Sequence, residues 1–204
     1  MSSLPRLAFF VSGNGSNAKA IIDSCNKSIL KAYPVVLISN NKKSKALAWA
    51  KSRGLQSQYL SSKNSDPYKD LDSLHLSILK EMEVDFVILA GYLSKIGDKV
   101  ITHFKDRIIN IHPSLLPKYG GKGMYGMKIH EKVIESGDME TGITIHLVSK
   151  EYDMGHILAQ KKIIVHKKDT AYSLSQRVLQ EEHTFYTSVL NKIFSGGIDL
   201  SNLE

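Results

Sequence analysis

The chain has 204 residues, enough for one sizeable core and short for two, so one domain spanning 1–204 is expected. With 42% apolar and 23% charged residues it is neither disordered nor fibrous in composition, and its one cysteine, Cys25, excludes an internal disulfide and fits a reducing compartment. The net charge of +7 comes from dispersed lysines without interleaved aromatics, so small anionic ligands are a better expectation than nucleic acid.

The opening Met-Ser-Ser-Leu-Pro-Arg and the short run Leu7 to Val11 lack the apolar core and cleavage pattern of a signal peptide. No run approaches the roughly 18 apolar residues that span a bilayer, so a cytoplasmic protein without membrane contact is expected. Leu7 to Val11 is read as the first strand. It ends at Ser12-Gly13-Asn14-Gly15-Ser16-Asn17, and Ala18, Ile21, Ile22 and Cys25 then recur at helical spacing. Ser16 or Asn17 is expected to cap that helix.

A strand, a glycine turn and a helix N-terminus together form an anion site, because backbone amides face the ligand and the helix dipole favours negative charge. Gly13-x-Gly15-x-x-Ala18 also fits a loose dinucleotide fingerprint. The second strand, Tyr33 to Ser39, however runs into Asn40-Asn41-Lys42-Lys43 with no acid for a ribose. A single phosphate group suits the turn better, and the residues alone also allow a plain tight turn.

A helix follows over Lys45 to Ser52, ended by Gly54, and Gln58 to Leu60 forms a short strand. Ser61 to Pro67 is read as a loop and a helix start, and the next helix buries Leu71, Leu74, Ile78, Leu79 and Met82. Phe86 to Leu89 is a buried strand leading into Ala90-Gly91-Tyr92, and Gly97 to Phe104 forms a short helix. Strand and helix in alternation argue an α/β fold with a doubly wound, mostly parallel sheet, whose ligands sit at the carboxyl ends of the strands.

Arg107 to Ile111 is the next strand, and it runs into Asn110-Ile111-His112-Pro113-Ser114-Leu115-Leu116-Pro117. Residues two apart share a face, so Asn110 and His112 project together where the strand ends, and Pro113 takes the chain out of the sheet. A single histidine there is most simply structural. Paired with an amide it offers an oxyanion donor and a proton carrier, the two needs of acyl transfer.

Lys118 to Gly126 holds four glycines in nine residues and reads as a mobile loop beside a site. Lys128 to Ser136 returns to helix. Thr141 to Val148 alternates, arguing a half-buried strand, and Ile157 to Val165 is its antiparallel partner across a loop containing Asp153. The closing helix, Thr170 to Phe194, contains Glu181-Glu182-His183, read by itself as a solvated acidic edge. The eight histidines show no metal-binding spacing, and Ser16 is misplaced for a serine-hydrolase elbow, leaving group transfer without a metal.

Gly13-Asn14-Gly15-Ser16-Asn17, Leu89-Ala90-Gly91-Tyr92, Asn110 to Lys118 and Asp153-x-Gly155 together resemble the folate-dependent formyltransferase superfamily. The glycine turn narrows the resemblance to the members that act on glycinamide ribonucleotide, over about Leu7 to Gly196. The resemblance implies a Rossmann-like formyltransferase fold with an antiparallel C-terminal strand pair. It also implies transfer of a formyl group from 10-formyltetrahydrofolate, as cosubstrate, to the amine of glycinamide ribonucleotide in purine biosynthesis.

By matching position, the resemblance makes His112 the general acid/base, Asn110 the oxyanion donor and Asp153 the carboxylate that holds His112. It gives the phosphate to Gly15, Ser16 and Asn17, and the ribose hydroxyls to Glu182. It places the folate against Leu93, Ser94, Lys95 and Ile96, against Asn110, and against the loop from Ser149 to Asp153. Monomer and homodimer are both compatible with it. Where the family often has Met-Arg-Ile, this chain has Leu93-Ser94-Lys95, with the basic residue one position later, and its glycine-rich loop is longer. The alternatives are formyltetrahydrofolate hydrolase, a methionyl-tRNA formyltransferase-like enzyme, or a nucleotide-binding module without chemistry; the first two carry additional domains for which this length has no room.

Overall fold

A computed structural model describes residues 3–61 and 70–200. The expected loop and helix start between Ser61 and Pro67 falls, beyond Ser61 itself, outside the described residues. Seven strands form one sheet: β1 (Arg6–Val11), β2 (Tyr33–Ser39), β3 (Gln56–Tyr59), β4 (Phe86–Leu89), β5 (Ile108–His112), β6 (Glu140–Leu147) and β7 (Ile157–Ile164). Six helices surround it: α1 (Ser16–Asn26), α2 (Lys45–Ser52), α3 (Leu71–Glu81), α4 (Asp98–His103), α5 (Met127–Glu135) and α6 (Ala171–Phe194).

The strand order is β3-β2-β1-β4-β5-β6-β7, parallel through β5 and antiparallel from β5 to β7. The doubly wound sheet with its antiparallel pair is therefore present. Its two faces follow the period of two along the strands. Leu7, Phe9, Val11, Ile109 and Ile111 pack with α1, α2, α5 and α6 on one side, and Ala8, Phe10, Val87, Leu89 and Ile108 with α3 and α4 on the other.

Local chemistry sets several helix starts. Ser44 and Asp70 accept from the amides of Ala46 and Asp72 at the starts of α2 and α3, and Thr170 with Ser173 forms a capping box at α6. The first helix departs from expectation. Its N-cap is Gly15 at φ 62°, and no side chain caps it. Neither Ser16 nor Asn17 takes that role, because a β-carbon on Gly15 would stand 2.7 Å from that of Ala46, so only glycine lets α2 pack this closely on the left-handed turn.

The strand expected over Thr141 to Val148 is not half-buried; β6 is buried at every residue but its first. The Ser114–Leu116 segment leaves β5 and folds across it. Thr144 Oγ1 donates to the Ser114 carbonyl at 2.7 Å and accepts from the Leu116 amide at 3.0 Å, and the Gln160 amide nitrogen donates to the Leu116 carbonyl at 2.9 Å. Gly142 makes room for Leu115, whose Cδ2 a β-carbon there would meet at 2.5 Å. Among the described residues no helix is long and apolar enough to cross a membrane.

Candidate active site

The carboxyl ends of β1, β4 and β5 lie side by side, so the glycine turn after β1, the Leu93–Ile96 segment after β4 and the Asn110/His112 pair open onto one edge of the sheet. Asn110 and His112 share a face of β5, as the strand period requires. His112 is 4% exposed.

Antiparallel pairing sets His146 of β6 opposite Asn110. His146 Nδ1 lies 2.8 Å from the Leu147 carbonyl, which only accepts, so Nδ1 carries a proton there. Burial lowers the His146 pKa, the Leu147 bond and Asp153 acting against it, so the neutral ring is favoured. Its Nε2 then accepts from the Asn110 amide nitrogen at 3.0 Å. This bond holds the Asn110 amide and leaves its second N–H for another acceptor.

Asp153 stands between the two histidines. Its Oδ2 is 3.6 Å from His112 Nδ1 and its Oδ1 is 3.6 Å from His146 Nε2, ion-pair distances rather than hydrogen bonds. Asp153 has φ 56°, in the left-handed region that aspartate enters more readily than most residues. The turn closes through Gly155, where a β-carbon would come within 1.8 Å of the Leu147 carbonyl oxygen. The spacing Asp153-x-Gly155 thus has a steric cause.

The glycine-rich loop is built into the site at its first turn. His112 Nε2 donates to the Tyr119 carbonyl at 2.8 Å, and the Gly121 amide donates to Asp153 Oδ2 at 2.8 Å. In a neutral His112 the proton sits on Nε2, and the Nδ1 lone pair faces Asp153. Nearby on α5, His130 is buried and its pKa is pushed down to about 4, first by burial and then by His112.

The turn Gly15-Ser16-Asn17 opens α1 with first-turn amides that no side chain caps and no acid opposes. Asn17 is 7% exposed; its amide nitrogen donates to Glu182 Oε2 of α6 at 2.6 Å, and its Oδ1 is buried without a partner among the described residues. Glu182 is buried as well, not the solvated edge its neighbours in sequence suggest. Burial pushes its pKa from the ordinary 4.5 up to about 7, with the Asn17 bond pulling the other way.

In the segment after β4, the Leu93 amide donates to Ser12 Oγ at 2.8 Å, Ser94 Oγ accepts from the Asn40 amide at 2.6 Å, and Ile96 is buried. Leu93 is half exposed. Ser149 closes its own loop on the Glu151 carbonyl, and Lys150 pairs with Asp98 at the start of α4, 3.4 Å away.

Of the residues singled out in the sequence, Asn110, His112 and Asp153 lie together, and so do Asn17 and Glu182. His146, Ser12 and the backbone of Tyr119 and Gly121 were not anticipated. The alternation of Thr144 and His146 placed the histidine on a strand, but only the β5–β6 register sets it against Asn110.

The Formyl transferase family profile matches residues 5–190. Phosphoribosylglycinamide formyltransferase, chloroplastic, of Arabidopsis thaliana is 42% identical over 189 residues, covering 92% of this chain; the chain spans 65% of that relative's length. Phosphoribosylglycinamide formyltransferase of Haemophilus influenzae is 32% identical, over 98% of this chain and 92% of its own. The structure of glycinamide ribonucleotide transformylase 1 from Symbiobacterium toebii superposes with a TM-score of 0.87 at 30% identity, over 96% of this chain and 90% of that one. The chain belongs to the formyl transferase family, and it is similar along most of its length to members named phosphoribosylglycinamide formyltransferase.

Proposed function

We infer that the protein transfers the formyl group of 10-formyltetrahydrofolate to the amine of glycinamide ribonucleotide. The observation that carries the reading is the convergence of Asn110, His112 and Asp153 at the end of β5, since the reaction needs one amide-type donor and one movable proton. The uncapped turn at Gly15-Ser16-Asn17 receives the phosphate, and Glu182 with the unpartnered Asn17 Oδ1 receives the ribose hydroxyls. The folate lies between Leu93–Ile96 and the Ser149–Asp153 loop.

The substrate amine attacks the formyl carbon. Its lone pair forms the new C–N bond while the carbonyl electrons move to oxygen, where the free N–H of Asn110 stabilises the charge. His112 Nδ1 takes the proton released by the new ammonium, Asp153 stabilises the imidazolium, and the Tyr119 carbonyl keeps the other ring nitrogen in place. The oxyanion's electron pair then re-forms the C=O bond as the bond from the formyl carbon to N10 of the folate breaks. The electron pair of that broken bond stays on N10, which takes the proton from His112.

A supply of both small molecules in a reducing aqueous compartment, the cytoplasm or a plastid, fits the single buried Cys25. Loss of the formyl group from 10-formyltetrahydrofolate, followed with and without glycinamide ribonucleotide, tests the reading. Turnover that requires the ribonucleotide supports transfer. Turnover without it indicates a hydrolase, and no turnover at all a binding module.

A further inference from the structure

Ser12 makes three hydrogen bonds, two to the segment after β4 and one to the segment after β2. Its amide donates to the Gly91 carbonyl at 3.0 Å, its carbonyl accepts from the Asn41 side chain at 3.0 Å, and its hydroxyl accepts from the Leu93 amide at 2.8 Å. It is 7% exposed and directly precedes the glycine turn. The next carbonyl, of Gly13, accepts from Ser44 Oγ at 2.7 Å, and Asn40 reaches Ser94 at 2.6 Å, so the end of β2 is tied to both segments as well. The hydroxyl of Ser12 is the direct side-chain link between the turn that would take the phosphate and the segment that would take the folate.

We propose that Ser12 is a positioning residue that holds the Leu93–Ile96 segment in register with the Gly13–Asn17 turn, so that occupancy of either substrate site favours the other. This rests on the formyl-transfer reading. Without the hydroxyl, the Leu93 amide loses its acceptor and the segment is tied only through the Ser12–Gly91 backbone bond and the exposed Asn40–Ser94 bond, so it follows the turn less closely. The serine touches neither substrate; it acts through the backbone of Leu93 and of Gly13.

The test is the affinity for tetrahydrofolate, which lacks the formyl group and permits no turnover, measured with and without saturating glycinamide ribonucleotide. Linkage requires the same factor in the reverse titration. Wild type is expected to show coupling of roughly fivefold or more. Ser12→Ala should bring it below about twofold, weaken tetrahydrofolate alone about tenfold and change the ribonucleotide alone by less than about threefold. Ser12→Thr, which keeps the oxygen, should restore the coupling. Asn40→Ala, at an exposed bond, should lower it by a smaller factor in a protein with undisturbed packing. Coupling that survives in Ser12→Ala, or equal weakening of both ligands with coupling retained, overturns the proposal. So does wild-type binding of both ligands with no coupling, whereas wild type that binds neither overturns the formyl-transfer reading and the proposal with it.

Discussion

The amide nitrogen of Asn110 lies 3.0 Å from Nε2 of His146, its antiparallel partner across β5 and β6. The pair is a ready-made support: a buried imidazole, kept neutral by its burial and tautomerically fixed by the Leu147 carbonyl, orients the amide that would meet the oxyanion. His146→Ala should therefore lower kcat about tenfold to a hundredfold, about 1.4–2.7 kcal/mol, with little change in either KM. Steady-state kinetics with each substrate varied checks this; a fall confined to KM would place His146 in binding instead.

Asn110→Ala removes the proposed donor itself. Loss of one preorganised oxyanion donor costs on the order of 2.7–4 kcal/mol, or roughly a hundredfold to a thousandfold in kcat. Asn110 is half-buried and, among the described residues, its side chain bonds only to His146, so the fold should persist, with a melting temperature within a few degrees of wild type.

Glu182 predicts a pH dependence in both stability and binding. Its folded pKa is raised from 4.5 to about 7, so as pH rises the unfolded chain releases this proton first. Stability from this group is greatest below about pH 4.5, falls through the interval up to about 7 and is level above it; the total is on the order of 3 kcal/mol. Glu182→Gln should flatten that slope in urea titrations between pH 5 and 8. In the wild type, the KM for the ribonucleotide should fall as pH rises through about 7, because the ionised carboxylate is the better acceptor for ribose hydroxyls.

Gly155→Ala should disturb the Asp153 turn without touching a reacting group. A β-carbon 1.8 Å from the Leu147 oxygen forces the backbone apart, at an expected loss of roughly 2 kcal/mol or more in stability, with activity falling as Asp153 leaves the two histidines. Chemical denaturation and kcat measured on the same sample check both effects.

Much of this arrangement is written in local patterns. The period of two put Asn110 and His112 on one face, Pro113 marked the strand end, and alternating strands and helices declared the doubly wound sheet. Features that depend on distant partners were not legible. Glu182 sits beside Glu181 and His183 in a helix that reads as solvated, and only its contact with Asn17, 165 residues away, shows it buried. His146 acquires its place from the β5–β6 register, and β6 is covered on both faces because Ser114–Leu116 folds back over it. The capping role expected of Ser16 or Asn17 went to Gly15, since close packing by Ala46 is invisible along the chain.

The central claim, that His112 moves the proton in formyl transfer, is tested most directly by single-turnover transfer from 10-formyltetrahydrofolate to glycinamide ribonucleotide in His112→Ala. The expected result is a rate lower by roughly a hundredfold to ten-thousandfold with ribonucleotide affinity retained. Transfer at the wild-type rate would contradict it.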